Sequence, residues 1–199
     1  MAQPSPVRED RREQIFAAGA RLFAEKGYER TSLQDVADAL GVTKPAFYYY
    51  YRSKEELLFE ILSFSMDRVT DDIKAALCLD APPEERVREW IRRYVRFFTA
   101  HPHELTLLST AIDSLGPDRR ERLKARQRRY LDMARRLVAA IKAPGSGLDD
   151  TVSAFALLGM MNWIFQWYRP AGPVAPEALA DHFYRIFVYG VSRVEPGGN

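Results

Sequence analysis

The sequence predicts an all-α protein, a three-helix helix-turn-helix head followed by a larger helical body, and three observations carry the prediction. Apolar residues recur at helical spacing from one end to the other. No alternating run of β-branched residues bounded by turns interrupts them. Gly and Pro clusters cut the chain into pieces of helix length. With 199 residues, 47% of them hydrophobic, the chain can bury a sizeable core, which excludes disorder as its main state. The 29 basic and 27 acidic residues leave a formal charge of +2, so bulk charge names no partner. A single cysteine, Cys78, excludes an internal disulfide framework and a cysteine-based zinc site and fits a reducing compartment. The first ten residues contain no apolar run of the signal-peptide kind, so a cytoplasmic protein is expected.

Taken in order, Ile15, Ala18, Gly19, Leu22 and Phe23 form one stripe, and Lys26-Gly27 places a cation before a left-handed terminator, predicting a helix over roughly 8–26. Thr31 and Ser32 can cap the next helix, with Gln34 and Asp35 as capping-box partners and Leu33, Val36, Ala37 and Leu40 as its apolar face before Gly41. Thr43 can cap a third near 44–50, where Pro45 is tolerated in the first turn. Ser53 with Glu56 opens a fourth, whose stripe of Leu57, Leu58, Ile61, Leu62, Met66, Val69 and Ile73 runs to about residue 78. Further breakers place helices near 84–100, 103–115, 118–142, 149–169 and 176–194. Within these, Thr151 to Tyr168 carries no charge over about the length of a bilayer span. Ser153, Asn162 and Gln166 interrupt it and Asp149 and Asp150 open it, so it reads as a helix buried against protein, with no membrane partner.

Two short helices around a Gly-containing turn are the ingredients of a helix-turn-helix. The string LFAEKGYERTSLQDVADALGVTKPAFYYYYRSKEELL, ending at Leu58, sharpens the reading, because core positions, caps and candidate contacts each have a consistent role in it. It resembles the DNA-binding head of the TetR family of one-component bacterial regulators over about fifty residues, and the body matches in helix count and order. The third helix must bury its back, for which Phe47 and Tyr51 are suited, while Lys44, Pro45, Ala46 and Tyr49 face base edges or sugars. Lys44 can donate to guanine O6/N7 and Ala46 can touch a thymine methyl. Tyr48, Tyr50 and Lys54 are placed for phosphates, and Thr31 and Ser32 offer hydroxyls and N–H groups to another. The resemblance implies the same assignments. Ala46 stands where the family often has a hydroxyl residue and Tyr51 where it often has Phe, so the operator sequence is not inferred. Residues 1–60 hold nine basic against ten acidic residues, so this head must bind DNA by local placement, with steep salt dependence.

One head reads few base pairs, so a homodimer on a pseudo-palindromic double-stranded operator is expected, with domains at 1–54 for DNA and 55–199 for ligand and dimerisation. The uncharged helix, through Ala156, Gly159 and Met160, with Leu179, Phe183, Ile186, Phe187 and Val191 of the last helix, is the expected interface, and the resemblance implies a four-helix seam there. Phe155, Trp163 and Trp167, with Asn162, Gln166 and Arg169 as polar anchors, have the makeup of a ligand chamber, though an aromatic stripe at this spacing is also that of plain core. Arg119, Arg120, Arg122, Arg126, Arg128, Arg129, Arg135 and Arg136 crowd one helix and Arg86, Arg88, Arg92, Arg93 and Arg96 another, exceeding the acids beside them. Guanidinium forks suit phosphates, so Arg93, Arg126 and Arg129 are candidates for a phosphorylated head on an apolar ligand. The string GMMNWIFQWYRP, Gly159 to Pro170, is similar to that of family members that respond to acyl-CoA thioesters and control fatty-acid, aromatic or steroid breakdown.

The sequence contains no nucleophile elbow, phosphate loop or zinc-helix motif, so neither catalysis nor a cofactor is expected. His101-Pro102-His103-Glu104 is the one cluster resembling metal ligands, and its Pro and following helix read as a capped turn, with no metal. His182 and Cys78 read as core. The expectation is a repressor released by a small hydrophobic effector, an acyl-CoA on the arginine reading. An uncharged hydrophobic compound, as in efflux control, and a DNA-binding protein without effector are the alternatives.

Overall fold

A computed structural model describes residues 6–190, and every regular element among them is a helix. In order these are α1 Pro6–Lys26, α2 Leu33–Ala39, α3 Lys44–Tyr50, α4 Lys54–Leu77, α5 Pro83–Ala100, α6 Pro102–Thr110, α7 Pro117–Ala139, α8 Asp150–Asn162, α9 Ile164–Trp167 and α10 Pro176–Tyr189, with a 3₁₀ turn at Ile112–Ser114. The described residues pack as two compact units, one within 6–66 and 101–124, the other within 67–100 and 125–190. α4 and α7 contribute residues to both. The first unit reaches beyond 1–54 because α6 lies against α1.

In the first unit Phe16, Phe23, Leu57, Leu58, Ile61, Leu62 and Leu105 are buried. Gly19 lets α1 approach α4 closely: a Cβ there would stand 3.0 Å from the Ile61 Cδ1 and 3.3 Å from the Leu57 Cδ2. In the second unit α5 packs against α10 around Trp90, Ile91, Phe98, Leu179 and Phe183. The buried Trp90 indole N–H donates to the Tyr130 hydroxyl at 3.0 Å. Burial pushes the Tyr130 and Tyr94 phenols above their ordinary range, so both stay neutral donors and acceptors.

Helix ends follow the expected chemistry at α2 and α4 and depart from it further on. Ser32 caps α2 in a reciprocal box: its hydroxyl accepts the Asp35 N–H at 3.1 Å and the Asp35 carboxylate accepts the Ser32 N–H at 2.8 Å. Ser53 accepts the Glu56 N–H at 3.1 Å, and the Glu56 carboxylate reaches back to the Arg52 N–H at 2.8 Å. The helix expected over 103–115 stops at Thr110, where the Thr106 and Thr110 hydroxyls bond to the carbonyls four residues back and weaken the helix. α7 ends at Ala139, three residues early, as amides 141 and 142 tighten onto carbonyls 138 and 139 and Lys142 turns to the Leu148 carbonyl and Asp150.

The single helix expected over 149–169 is two, α8 and α9. Beyond Trp163 the Gln166 amide bonds three residues back, the 3₁₀ spacing, while the Asn162 side chain accepts from the Tyr94 hydroxyl. Among the described residues no helix is long and apolar enough to cross a membrane. Val191 lies outside the described residues. Cys78 and His182 are exposed rather than core, Cys78 having passed the end of α4 and His182 lying on the outer side of α10.

Gly27 ends α1 at φ +89°, a conformation that costs other residues about 1–2 kcal/mol. Gly27→Ala is therefore expected to lower stability by about that amount, seen as a lower urea midpoint at unchanged slope.

Candidate nucleic-acid interface

α3 has seven residues, starts at Thr43 without a side-chain cap, and is held from behind. Phe47 and Tyr51 are buried with their rings 5.6 Å apart, and burial, reinforced by the Glu60 carboxylate, pushes the Tyr51 phenol up to about 12. Once that back is fixed, the residues at helical spacing away from it turn outward. Lys44, Pro45, Ala46, Tyr48, Tyr49 and Tyr50 are all exposed, Tyr49 by 83%. The Lys44 ammonium lies 5.5 Å from the Tyr48 ring centre, and the Tyr49 and Tyr50 rings meet edge to face at 5.3 Å. Three adjacent exposed aromatic rings and a cation form a surface that presents stacking faces, phenol donors and an ammonium together.

Thr31 and Lys54 depart from their expected phosphate roles. Thr31 is buried, and its hydroxyl points inward at the Gly27 and Leu22 carbonyls, 2.9 and 3.2 Å away, so it fastens the α1–α2 turn. Lys54 has its three donors occupied by the Tyr28 carbonyl at 3.0 Å, the Glu29 carbonyl at 3.1 Å and the Glu29 carboxylate at 3.3 Å. Its ammonium also sits 4.4 Å from the Tyr28 ring centre. Ser32 is exposed, at the α2 N-terminus, with its hydroxyl engaged by Asp35. Other cations of this unit are paired as well: Arg12 with Glu60, Arg21 with Glu25, Lys26 with Asp35 and Arg119 with Glu55. Several cations have no carboxylate partner among the described residues, and two of them stand at the ends of α3, Lys44 at its first residue and the exposed Arg52 just beyond its last. Arg52 was not singled out from sequence, although its place between α3 and the Ser53 cap is a signal that it faces the same way.

In the second unit the residues proposed as chamber lining are on the outside. Phe155, Trp163 and Trp167 are 56%, 60% and 49% exposed, and Gln166 and Arg169 are exposed too. Asn162 is held by Tyr94, and the Arg169 guanidinium donates to the Tyr168 carbonyl. α8 is apolar on two faces: Ala154, Leu157, Leu158 and Met161 are buried, while Val152, Phe155, Ala156, Gly159 and Trp163 line the opposite, exposed face. Ile186 is exposed on α10, which packs on α8, and Met160 and Phe187 are half-buried. Leu179 and Phe183 are instead core of this unit, turned inward where α10 meets α5, with the Phe183 ring 6.4 Å from that of Trp167.

The expected excess of unpaired arginines shrinks in the same way. Arg126 holds both Asp67 oxygens at 2.9 and 3.0 Å, Arg93 pairs with Glu89 at 2.7 Å and Asp72 at 3.7 Å, and Arg92 reaches Asp181 at 3.1 Å. Asp132 pairs with Arg135 at 3.5 Å. Arg129 is exposed. The His101 imidazole stands 3.6 Å from the buried Glu104 carboxylate without capping α6, and among the described residues no group of three or more ligating side chains could hold a metal ion.

The Asp35 carboxyl is held far below its ordinary 3.8, first by the Ser32 hydroxyl, then by the Ser32 N–H and Lys26. A depressed carboxyl stabilises the fold fully above its unfolded value and loses that contribution as pH falls through the folded one. Asp35→Asn is thus expected to be less stable than wild type at neutral pH, the gap narrowing progressively below about pH 4 when unfolding is followed by circular dichroism.

Residues 15–61 match the family described as bacterial regulatory proteins, tetR family, and residues 80–191 match the tetracyclin repressor-like C-terminal domain. The HTH-type transcriptional regulator EthR of Mycolicibacterium smegmatis is 26% identical over 93% of this chain and 89% of its own. The structure of the regulator PfmR from Thermus thermophilus is 32% identical with a TM-score of 0.81, covering 90% of this chain and 99% of that one. That of AibR in complex with isovaleryl coenzyme A and operator DNA is 31% identical with a TM-score of 0.78, covering 89% and 98%. With both ends of the chain matched in this way and the exposed α3 on its buried back, the chain belongs to the TetR family of bacterial transcriptional regulators.

Proposed function

We propose that this protein works in the cytoplasm as a ligand-responsive repressor, binding a two-fold symmetric operator as a homodimer and leaving it when a small hydrophobic effector binds. The observation that carries the DNA reading is α3, whose Lys44, Pro45, Ala46 and Tyr48–Tyr50 are exposed above a buried Phe47 and Tyr51. Lys44 donates to a base edge, Pro45 and Ala46 make apolar contact, Tyr49 reaches a base or sugar, and Tyr48, Tyr50 and Arg52 meet phosphates. Ser32 brings the α2 N-terminus to another phosphate.

The dimer reading rests on α8, because a helix apolar on two faces needs a second surface besides its own core. Val152, Phe155, Ala156, Gly159 and Trp163 meet their copies across the two-fold axis, with Ile186 beside them. Phe155 and Trp163 are thereby reassigned from chamber to interface. For the effector, likeness to AibR, whose structure holds isovaleryl coenzyme A, supports an acyl-CoA, with the exposed Arg129 as a phosphate partner. The pairing of Arg93 and Arg126 with carboxylates favours a second reading, an uncharged hydrophobic effector. Either way α4, continuous from one compact unit into the other, carries the response, and a coupling of about 1–3 kcal/mol suffices.

Tyr49→Ala and Lys44→Ala are expected to weaken operator binding by roughly 1–3 kcal/mol in a fluorescence-anisotropy titration while native mass spectrometry still shows a dimer. Unchanged affinity removes those residues from the contact surface. The effector readings separate in a thermal-shift titration of the dimer with short acyl-CoA thioesters and the matching free acids. Stabilisation by a thioester alone is expected for an acyl-CoA regulator. Indifference to both classes sinks that reading in favour of the uncharged one.

A further inference from the structure

Beside α3 lies a groove of about 140 Å³ whose floor is Ile15, Val42 and Phe47 and whose rim carries Arg11, Gln14 and Tyr50. Arg11 and Gln14 come from α1, outside the helix-turn-helix pair, and both are exposed. Arg12, next to Arg11 in the chain, is tied to Glu60 at 3.1 Å, whereas among the described residues Arg11 has no carboxylate partner. It therefore joins Lys44 and Arg52 as a free cation bordering α3. The groove is continuous with the proposed DNA face, since Ala46 and Tyr50 belong to both.

The geometry points to this groove as a seat for one sugar-phosphate unit of the operator backbone, an α1 contact that extends the footprint of each head beyond the helix-turn-helix. The inference rests on the DNA-binding reading above. Its chemistry fits that occupant on three counts. A guanidinium fork, a carboxamide and a phenol are all donors to phosphate oxygens. The apolar floor suits the face of a deoxyribose. The volume is below that of a drug-sized ligand site, so the groove holds a fragment of a polymer docked alongside it. The contact matters because the first sixty residues carry more acids than bases, and each phosphate neutralised by an otherwise unpaired cation weighs heavily in such a head.

The test uses the full-length dimer and a fluorescein-labelled mixed-sequence duplex of about 30 base pairs, titrated at several salt concentrations between about 50 and 200 mM. Arg11→Gln is expected to weaken binding and to reduce the slope of log K against log salt by about one per protomer, whereas Arg11→Lys keeps the slope. Gln14→Ala weakens binding at an unchanged slope, because it removes a donor without removing charge. All three changes are at exposed positions, and an unchanged thermal midpoint checks that the fold is intact. If Arg11→Gln leaves affinity and slope as in wild type while Lys44→Ala reduces both, the groove is not a phosphate seat and the DNA reading stands. If the wild-type protein does not bind the duplex, the DNA reading fails and this inference with it.

Discussion

A helix of seven residues has almost no stability of its own, because the cost of nucleation is recovered only over longer runs. α3 exists because Phe47 and Tyr51 bury its back, and everything it can do follows from that attachment. The buried side fixes the rotation of the helix, and the rotation decides that Lys44, Pro45, Ala46 and the Tyr48–Tyr50 row face out. Nearby polar groups serve the same end from inside: Thr31 and Lys54 hold the α1–α2 turn by its carbonyls, and the Ser32–Asp35 box fixes where α2 begins. The head thus holds its short helices with groups that a reading of motifs assigns to DNA.

That use of polar groups shapes the electrostatics of the surface. Carboxylates take Arg12, Arg21, Lys26, Lys54, Arg119 and Arg120 of the first unit, whereas around α3 Lys44, Arg52 and Arg11 have no carboxylate partner among the described residues. Exposed pairs such as Arg21–Glu25 contribute little to stability, but they withdraw charge from the long-range field. On the proposed DNA reading, recognition depends on a few well-placed donors and on aromatic contact more than on a broad basic face.

Much of this was legible in the sequence because its signals are local. Gly27, the Ser32 and Ser53 caps, Pro45 in a first turn, and the alternation of Phe47 and Tyr51 with outward tyrosines are patterns within four or five residues, and they placed the first four helices almost to the residue. Signals that depend on partners far along the chain were not legible. The acid that takes Arg126 is 59 positions away, and Arg92 reaches one 89 away besides Glu85 on its own helix, so a count of neighbouring charges overstated how many arginines are free. Periodicity reveals that α8 has apolar faces and is silent on which one meets its own core. Phe155 and Trp163 therefore read as chamber lining, and Leu179 and Phe183 as interface, when their exposures are the reverse. Thr31 and Lys54 failed for a related reason, since a residue type shows what it can bond and not the direction in which it points.

The two readings meet in symmetry. If the exposed α8 face meets a copy of itself, as proposed, the dimer has a two-fold axis, and a two-fold axis implies that the α3 helices approach DNA as a matched pair. Selection of bound duplexes from a randomised pool tests that claim most directly. The account predicts enrichment of an inverted repeat whose half-sites lie about one helical turn apart, or a multiple of it, and loss of the enrichment for protein carrying Lys44→Ala with Tyr49→Ala. Recovery of no common sequence, or of the same one by the double variant, would contradict it.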